Sequence, residues 1–184
     1  MRVTVFGGSA PKPREPAYQE AYQLGILLGQ ANHTVLTGGY IGTMEAVSRG
    51  AQESGGHVIG VTCDEIESWR PVLPNRWIDE ELRYPSLRER MFALMEACDA
   101  AMALAGGAGT LAEISTMWNH MQTDAIKARP LILIGEAWRL FFDKAYDVLG
   151  DYYPSYVRQL AHFTRDAGSA FNLLNTLISQ RDVQ

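Results

Sequence analysis

A chain of 184 residues with 47% hydrophobic and 20% charged residues has the length and balance of one globular domain with a sizeable core. Its formal net charge of −5 argues against a nucleic-acid polymer as partner, because such binders carry a basic face. No apolar run reaches the roughly 18 residues of a membrane span, no leader pattern precedes Val3-Thr4-Val5, and two cysteines are too few for a disulfide scaffold, so a cytoplasmic setting without a membrane partner is expected.

The first apolar run, Arg2–Gly7, ends in Gly7-Gly8-Ser9. A helical stretch from Pro16 to about Ala31 follows, with Ala17, Ala21, Leu24, Leu27, Leu28 and Ala31 at helical spacing. The second strand, Thr34–Gly38, closes on Gly38-Gly39-Tyr40-Ile41-Gly42. The helix after Thr43 turns Met44, Val47 and Ala51 inward and stops at Gly55-Gly56. A third strand spans His57–Thr62. The segment Asp64–Pro85, with Trp69, Trp77 and three prolines, has no sustained period. It is expected to be irregular, either a lid or binding segment over 64–85 or a surface excursion covering the sheet edge. Ser86-Leu87-Arg88-Glu89 is a capping box opening a helix with the stripe Leu87, Met91, Leu94, Met95 and Cys98. The fourth strand, Asp99–Leu104, runs into Ala105-Gly106-Gly107-Ala108-Gly109-Thr110-Leu111-Ala112-Glu113, with a helix from Thr110. A fifth strand, Pro130–Gly135, precedes a helix from about Ala137 to near Gly150. Residues 151–184 are expected to form a C-terminal helical extension, whose last helix follows Asp166.

Strands without strict alternation, alternating with helices, predict a single-domain α/β fold: a Rossmann-like, doubly wound parallel sheet in three α/β/α layers. With the order 3-2-1-4-5, the first and fourth strands flank the switch point, where ligands of such sheets bind. The glycine turns after strands one, two and four then converge on one edge. Backbone amides at a helix start, with no Cβ in the way, can close around a phosphate. Neither a G-x-G-x-x-G dinucleotide fingerprint nor a G-x-x-x-x-G-K-[ST] loop is present. Glu113 has two readings from spacing, a helix cap paired with Thr110 or a functional acid at the mouth of the anion site. Arg88 and Arg90 flank the third helix's stripe on opposite sides, and periodicity does not choose between them. The scattered histidines have no metal-ligand spacing, and no G-x-S-x-G elbow exists.

Together, Val5-Phe6-Gly7-Gly8-Ser9, the turn Gly38-Gly39…Gly42…Met44, the arginine-bearing third helix and the Gly106-to-Glu113 run resemble the LONELY GUY family of cytokinin riboside 5′-monophosphate phosphoribohydrolases. The family's P-G-G-x-G-T-x-x-E appears as Ala105 to Glu113, and its R-K-x-x-M element as Arg90 to Leu94. Alanine at 105, methionine at 91 and leucine at 94 are departures. The resemblance implies Arg90 and Glu113 as the catalytic pair. It implies Gly8, Ser9, Gly39, Gly42, Met44, Gly106, Gly107, Ala108, Gly109 and Thr110 as the phosphate and nucleotide contacts. The implied reaction is hydrolysis of the N-glycosidic bond of an AMP-like nucleoside 5′-monophosphate to free base and ribose 5-phosphate, with no cofactor or metal. Base selection is expected to fall to the 64–85 segment and the Tyr40 turn. A homodimer built on Ile114, Met117, Trp118 and Met121 is also implied. The Gly38–Val47 turn is similar to that of the molybdenum-cofactor carrier proteins, so a non-enzymatic carrier or sensor of a phosphorylated ligand is the alternative. Pyridoxal chemistry is disfavoured, since Lys127 and Lys144 lie on or beside helical stretches away from the glycine turns and Lys12 sits in a proline-rich loop.

Overall fold

The computed structural model describes residues 1–181. Five strands occupy the expected places: β1 (Arg2–Phe6), β2 (Thr34–Thr37), β3 (Val58–Cys63), β5 (Ala100–Ala103) and β6 (Leu131–Ile134). Two more, β4 (Glu80–Tyr84) and β7 (His162–Thr164), extend the sheet at its edges. Among the described residues the order is β4-β3-β2-β1-β5-β6-β7, and every pairing is parallel. The expected inner order is therefore present, with the switch point between β1 and β5.

The helices are α1 (Pro16–Gln30), α2 (Thr43–Glu53), α3 (Asp64–Trp69), α4 (Leu87–Glu96), α5 (Ala108–Gln122), α6 (Glu136–Leu149), α7 (Ser155–Arg158) and α8 (Ala167–Arg181). On one face of the sheet, Leu24 and Leu28 of α1, Val47 of α2 and Leu174 of α8 pack on Val3, Val35 and Met102. On the other face, Leu94 and Met95 of α4, Met117 and Trp118 of α5 and Phe142 of α6 pack on Leu36, Val61 and Leu133. This is the Rossmann-like three-layer fold, each inner strand buried from both sides.

Three expectations are corrected. The 64–85 segment is not irregular throughout, because it holds α3 and β4. The sequence EELRY hides the strand: β4 is an edge strand, largely exposed, and charges take the places that apolar residues fill further in. Nor is 151–184 wholly helical. A 3₁₀ turn at Gly150–Tyr152, α7 and the three-residue β7 precede α8, and residues 182–184 lie outside the described part. Finally, Ile114, Met117, Trp118 and Met121 are at most 4% exposed and fill the core under α5, so they are not a surface for a second chain. No helix among the described residues is long and apolar enough to cross a membrane.

Candidate active site

The three glycine turns are wired to one another. The Gly8 amide donates to the Ala105 carbonyl at 3.1 Å, and the Gly8 carbonyl accepts from both the amide and the hydroxyl of Thr43, at 2.9 and 3.0 Å. Gly42 makes this approach possible: its φ is +76°, and a Cβ there would lie 2.5 Å from the Gly8 oxygen. The neighbouring Gly39 donates to Thr37 Oγ1 and accepts from Asn75, which fixes the turn to the 64–85 segment. Buried Tyr40 ties the same turn to the end of β3, accepting from the Cys63 amide at 2.9 Å.

Arg90 rises from the first turn of α4, whose start is set by the expected Ser86–Glu89 capping box. It is buried, and two carbonyls at the carboxyl ends of neighbouring strands hold it. Nε donates to Val61 at 2.7 Å and Nη2 to Gly38 at 3.1 Å. A Cβ on Gly38 would stand 1.9 Å from that Nη2, so glycine at 38 is the seat of the guanidinium. The third guanidinium nitrogen, Nη1, lies 3.9 Å from Glu113 Oε1. At that separation the charges attract, yet each group keeps hydrogen-bonding capacity for a ligand. Arg88 instead lies exposed over Phe92, which resolves the choice that periodicity left open.

Glu113 does not cap α5. That helix begins at Ala108, with Gly107 before it and no side-chain cap, so Glu113 sits more than a turn inside. Its side chain is 14% exposed. Burial pushes its carboxyl up to about 7, with the Arg90 charge pulling the other way. Near neutral pH, Glu113 is thus poised between an acid and a carboxylate.

Both groups face a cavity of about 380 Å³ that is also lined by Gly8, Ser9, Met44, Gly107, Gly109 and Thr110. Its apolar lining comes from Ile66, Trp69, Leu87 and Met91. The α5 amides of Ala108, Gly109 and Thr110 have no carbonyl one turn earlier in the helix to accept them. At Gly107 and Gly109 a Cβ would meet no protein atom within 4 Å. Gly106 packs beneath Thr110 instead, and neither it nor Ala108, Gly39 or Gly42 lines the cavity. Of the family departures, Met91 lines the cavity, Leu94 is buried in the core, and Ala105 contributes its carbonyl to Gly8. Sequence reasoning missed Arg70, which lines the cavity from the end of α3, and the role of Gly38 as a seat.

A family model described as the SLOG cluster4 family matches residues 1–126. The chain belongs to the SLOG cluster4 family. Proteins of the family that the sequence resembles are among its relatives. The probable cytokinin riboside 5′-monophosphate phosphoribohydrolase LOGL9 of Oryza sativa subsp. japonica is 30% identical over 183 residues, 96% of this chain and 78% of that one. The cytokinin riboside 5′-monophosphate phosphoribohydrolase LOG7 of Arabidopsis thaliana is 31% identical over 153 residues, 79% and 69% of the two chains. Among solved structures, the molybdenum cofactor binding protein of Rippkaea orientalis superposes with a TM-score of 0.75 over 96% of each chain. At 22% identity, this last likeness speaks for the fold that this SLOG member shares with it.

Proposed function

We propose that this chain hydrolyses the N-glycosidic bond of a nucleoside 5′-monophosphate, releasing free base and ribose 5-phosphate. The observation that carries the reading is the buried Arg90–Glu113 pair, facing a cavity beside two glycines that no protein atom requires. A Cβ at Gly107 or Gly109 would stand in open space at the wall of the cavity. The 5′-phosphate rests there on the first-turn amides of α5, aided by the positive end of the helix dipole. Gly8 and Ser9 close the crevice from the side of β1.

Glycosidic cleavage passes through an oxocarbenium-like state, with positive charge growing on the anomeric carbon. Ionised Glu113 stabilises that charge and takes a proton from the attacking water. The bond from the anomeric carbon to the base nitrogen breaks, its electron pair leaves with the base, and the water oxygen bonds to the carbon. The proton taken up by Glu113 ends on the departing base, which restores the carboxylate. Arg90, held rigid by two strand-end carbonyls, orients the carboxylate and favours its ionised form against the effect of burial. The apolar lining by Ile66, Trp69, Leu87 and Met91 suits a flat base. The test is a panel of nucleoside 5′-monophosphates and their unphosphorylated nucleosides, scored for free base by chromatography. Release from monophosphates is expected, with nucleosides far slower; no release from any monophosphate rejects the reading.

The alternative, a carrier or sensor of a phosphorylated ligand, is favoured by the fold shared with the Rippkaea protein. It predicts a ligand retained through purification, visible by mass spectrometry of the denatured protein, and no base release. We further propose a homodimer in the cytoplasm. Buried free Cys63 and Cys98 suit a reducing setting. Four exposed apolar side chains lie together on α6, at Leu140, Phe141, Val148 and Leu149. Light scattering at micromolar concentration is expected to give twice the chain mass.

A further inference from the structure

A phosphate monoester carries close to two negative charges near neutral pH, more than one helix end neutralises. Arg90 is held by two carbonyls and its charge faces Glu113. The cavity holds a second guanidinium. Arg70 directly follows α3, where its own amide closes the last turn on the Ile66 carbonyl at 2.9 Å. Its Nη1 reaches Ser9 Oγ at 3.4 Å, on the glycine turn after β1. Its Nε is buried with no hydrogen-bond partner, and among the described residues no carboxylate pairs with it. The guanidinium lines the cavity with no carboxylate to neutralise it, and its planar fork matches a phosphate's oxygens. Stacking on Trp69 does not explain the placement, because that ring is 78% exposed.

We infer that Arg70 is the phosphate anchor of this site, gripping the 5′-phosphate together with Ser9 and the first turn of α5. The inference rests on the monophosphate reading. The two arginines then divide the work: Arg90 serves the acid at the sugar, and Arg70 makes the site select phosphorylated substrates.

The experiment measures ribose 5-phosphate and ribose binding by calorimetry, and AMP and adenosine turnover, for the wild type, Arg70→Ala and Arg70→Lys. Arg70→Ala is expected to weaken ribose 5-phosphate binding about 50-fold and raise KM for AMP similarly, with kcat for AMP, ribose binding and adenosine turnover all changed far less. Arg70→Lys is expected to recover part of the affinity, since it restores charge without the fork. Unchanged ribose 5-phosphate affinity in Arg70→Ala overturns the inference, as does an equal loss for phosphorylated and unphosphorylated ligands. If Arg70→Ala does not fold, Arg70→Lys decides: wild-type affinity and KM in that variant overturn the bidentate grip. Failure of the hydrolase reading looks different, as a wild type that binds ribose 5-phosphate through Arg70 yet releases no base.

Discussion

Two glycine turns lie at the same edge of the sheet, and their glycines are there for opposite reasons. In the turn after β2, Gly38 and Gly42 are demanded by the protein, one by the Arg90 guanidinium and the other by the Gly8 carbonyl. In the turn after β5, Gly107 and Gly109 have no protein neighbour at all within reach of a Cβ. The first turn is a piece of framework that positions a charged side chain. The second packs Gly106 beneath Thr110 but leaves Gly107 and Gly109 open to the cavity. The contrast separates glycine as a packing requirement from glycine that borders open space, which a glycine count in the sequence cannot do.

The comparison can be broken or sharpened by substitution. The largest effect is expected at the acid the framework turn serves. Glu113→Gln keeps the shape and removes the charge, and base release is expected to fall about 1000-fold in a steady-state assay. Next comes Gly38→Ala, which displaces the Arg90 guanidinium from its seat. It is expected to cost about 100-fold in base release and roughly 2 to 3 kcal/mol in chemical denaturation, because the Val61 and Gly38 carbonyls lose their donor. Gly107→Ala and Gly109→Ala should behave in the opposite way. Unfolding free energies are expected within about 0.5 kcal/mol of wild type, while affinity for ribose 5-phosphate drops about tenfold. A matching loss of stability in those two variants would erase the distinction between the turns.

The pH dependence has two signs from one group. The Glu113 carboxyl is raised to about 7 by burial, so its ionised fraction climbs as pH rises through that value. Base release is expected to climb with it in a pH–rate profile. Stability runs the other way. The unfolded chain ionises this carboxyl near its ordinary 4.5, whereas the folded chain resists until about 7, so native stability is lost as pH rises between them. The melting-temperature difference between Glu113→Gln and wild type should shift in the variant's favour from pH 5 to pH 8, by up to about 3 kcal/mol in free energy. A flat difference would mean that Glu113 is not buried as described.

How much of this was legible in the sequence follows from where the physics is local. The five inner strands are continuous apolar runs, and the Ser86–Glu89 box is a short-range hydrogen-bond pattern, so both could be read directly. β4 was hidden because an edge strand facing water can carry Glu80, Glu81 and Arg83 without penalty. β7 is too short for periodicity to register. Arg90 could be told from Arg88 only by family resemblance, since its burial depends on carbonyls 29 and 52 residues away. Thr110-Leu111-Ala112-Glu113 had the spacing of a cap, but α5 starts two residues earlier and turns the acid toward Arg90 instead. Arg70 left no trace in any local pattern, because its significance lies in a cavity assembled from five separate stretches of chain.

The most direct test is a time course of AMP incubated at pH 8 with the wild type and with Glu113→Gln, following adenine and ribose 5-phosphate together. The expected result is equal amounts of both products from the wild type and almost none from the variant. No adenine from the wild type, or equal rates from the two proteins, would contradict a hydrolytic role for the buried pair.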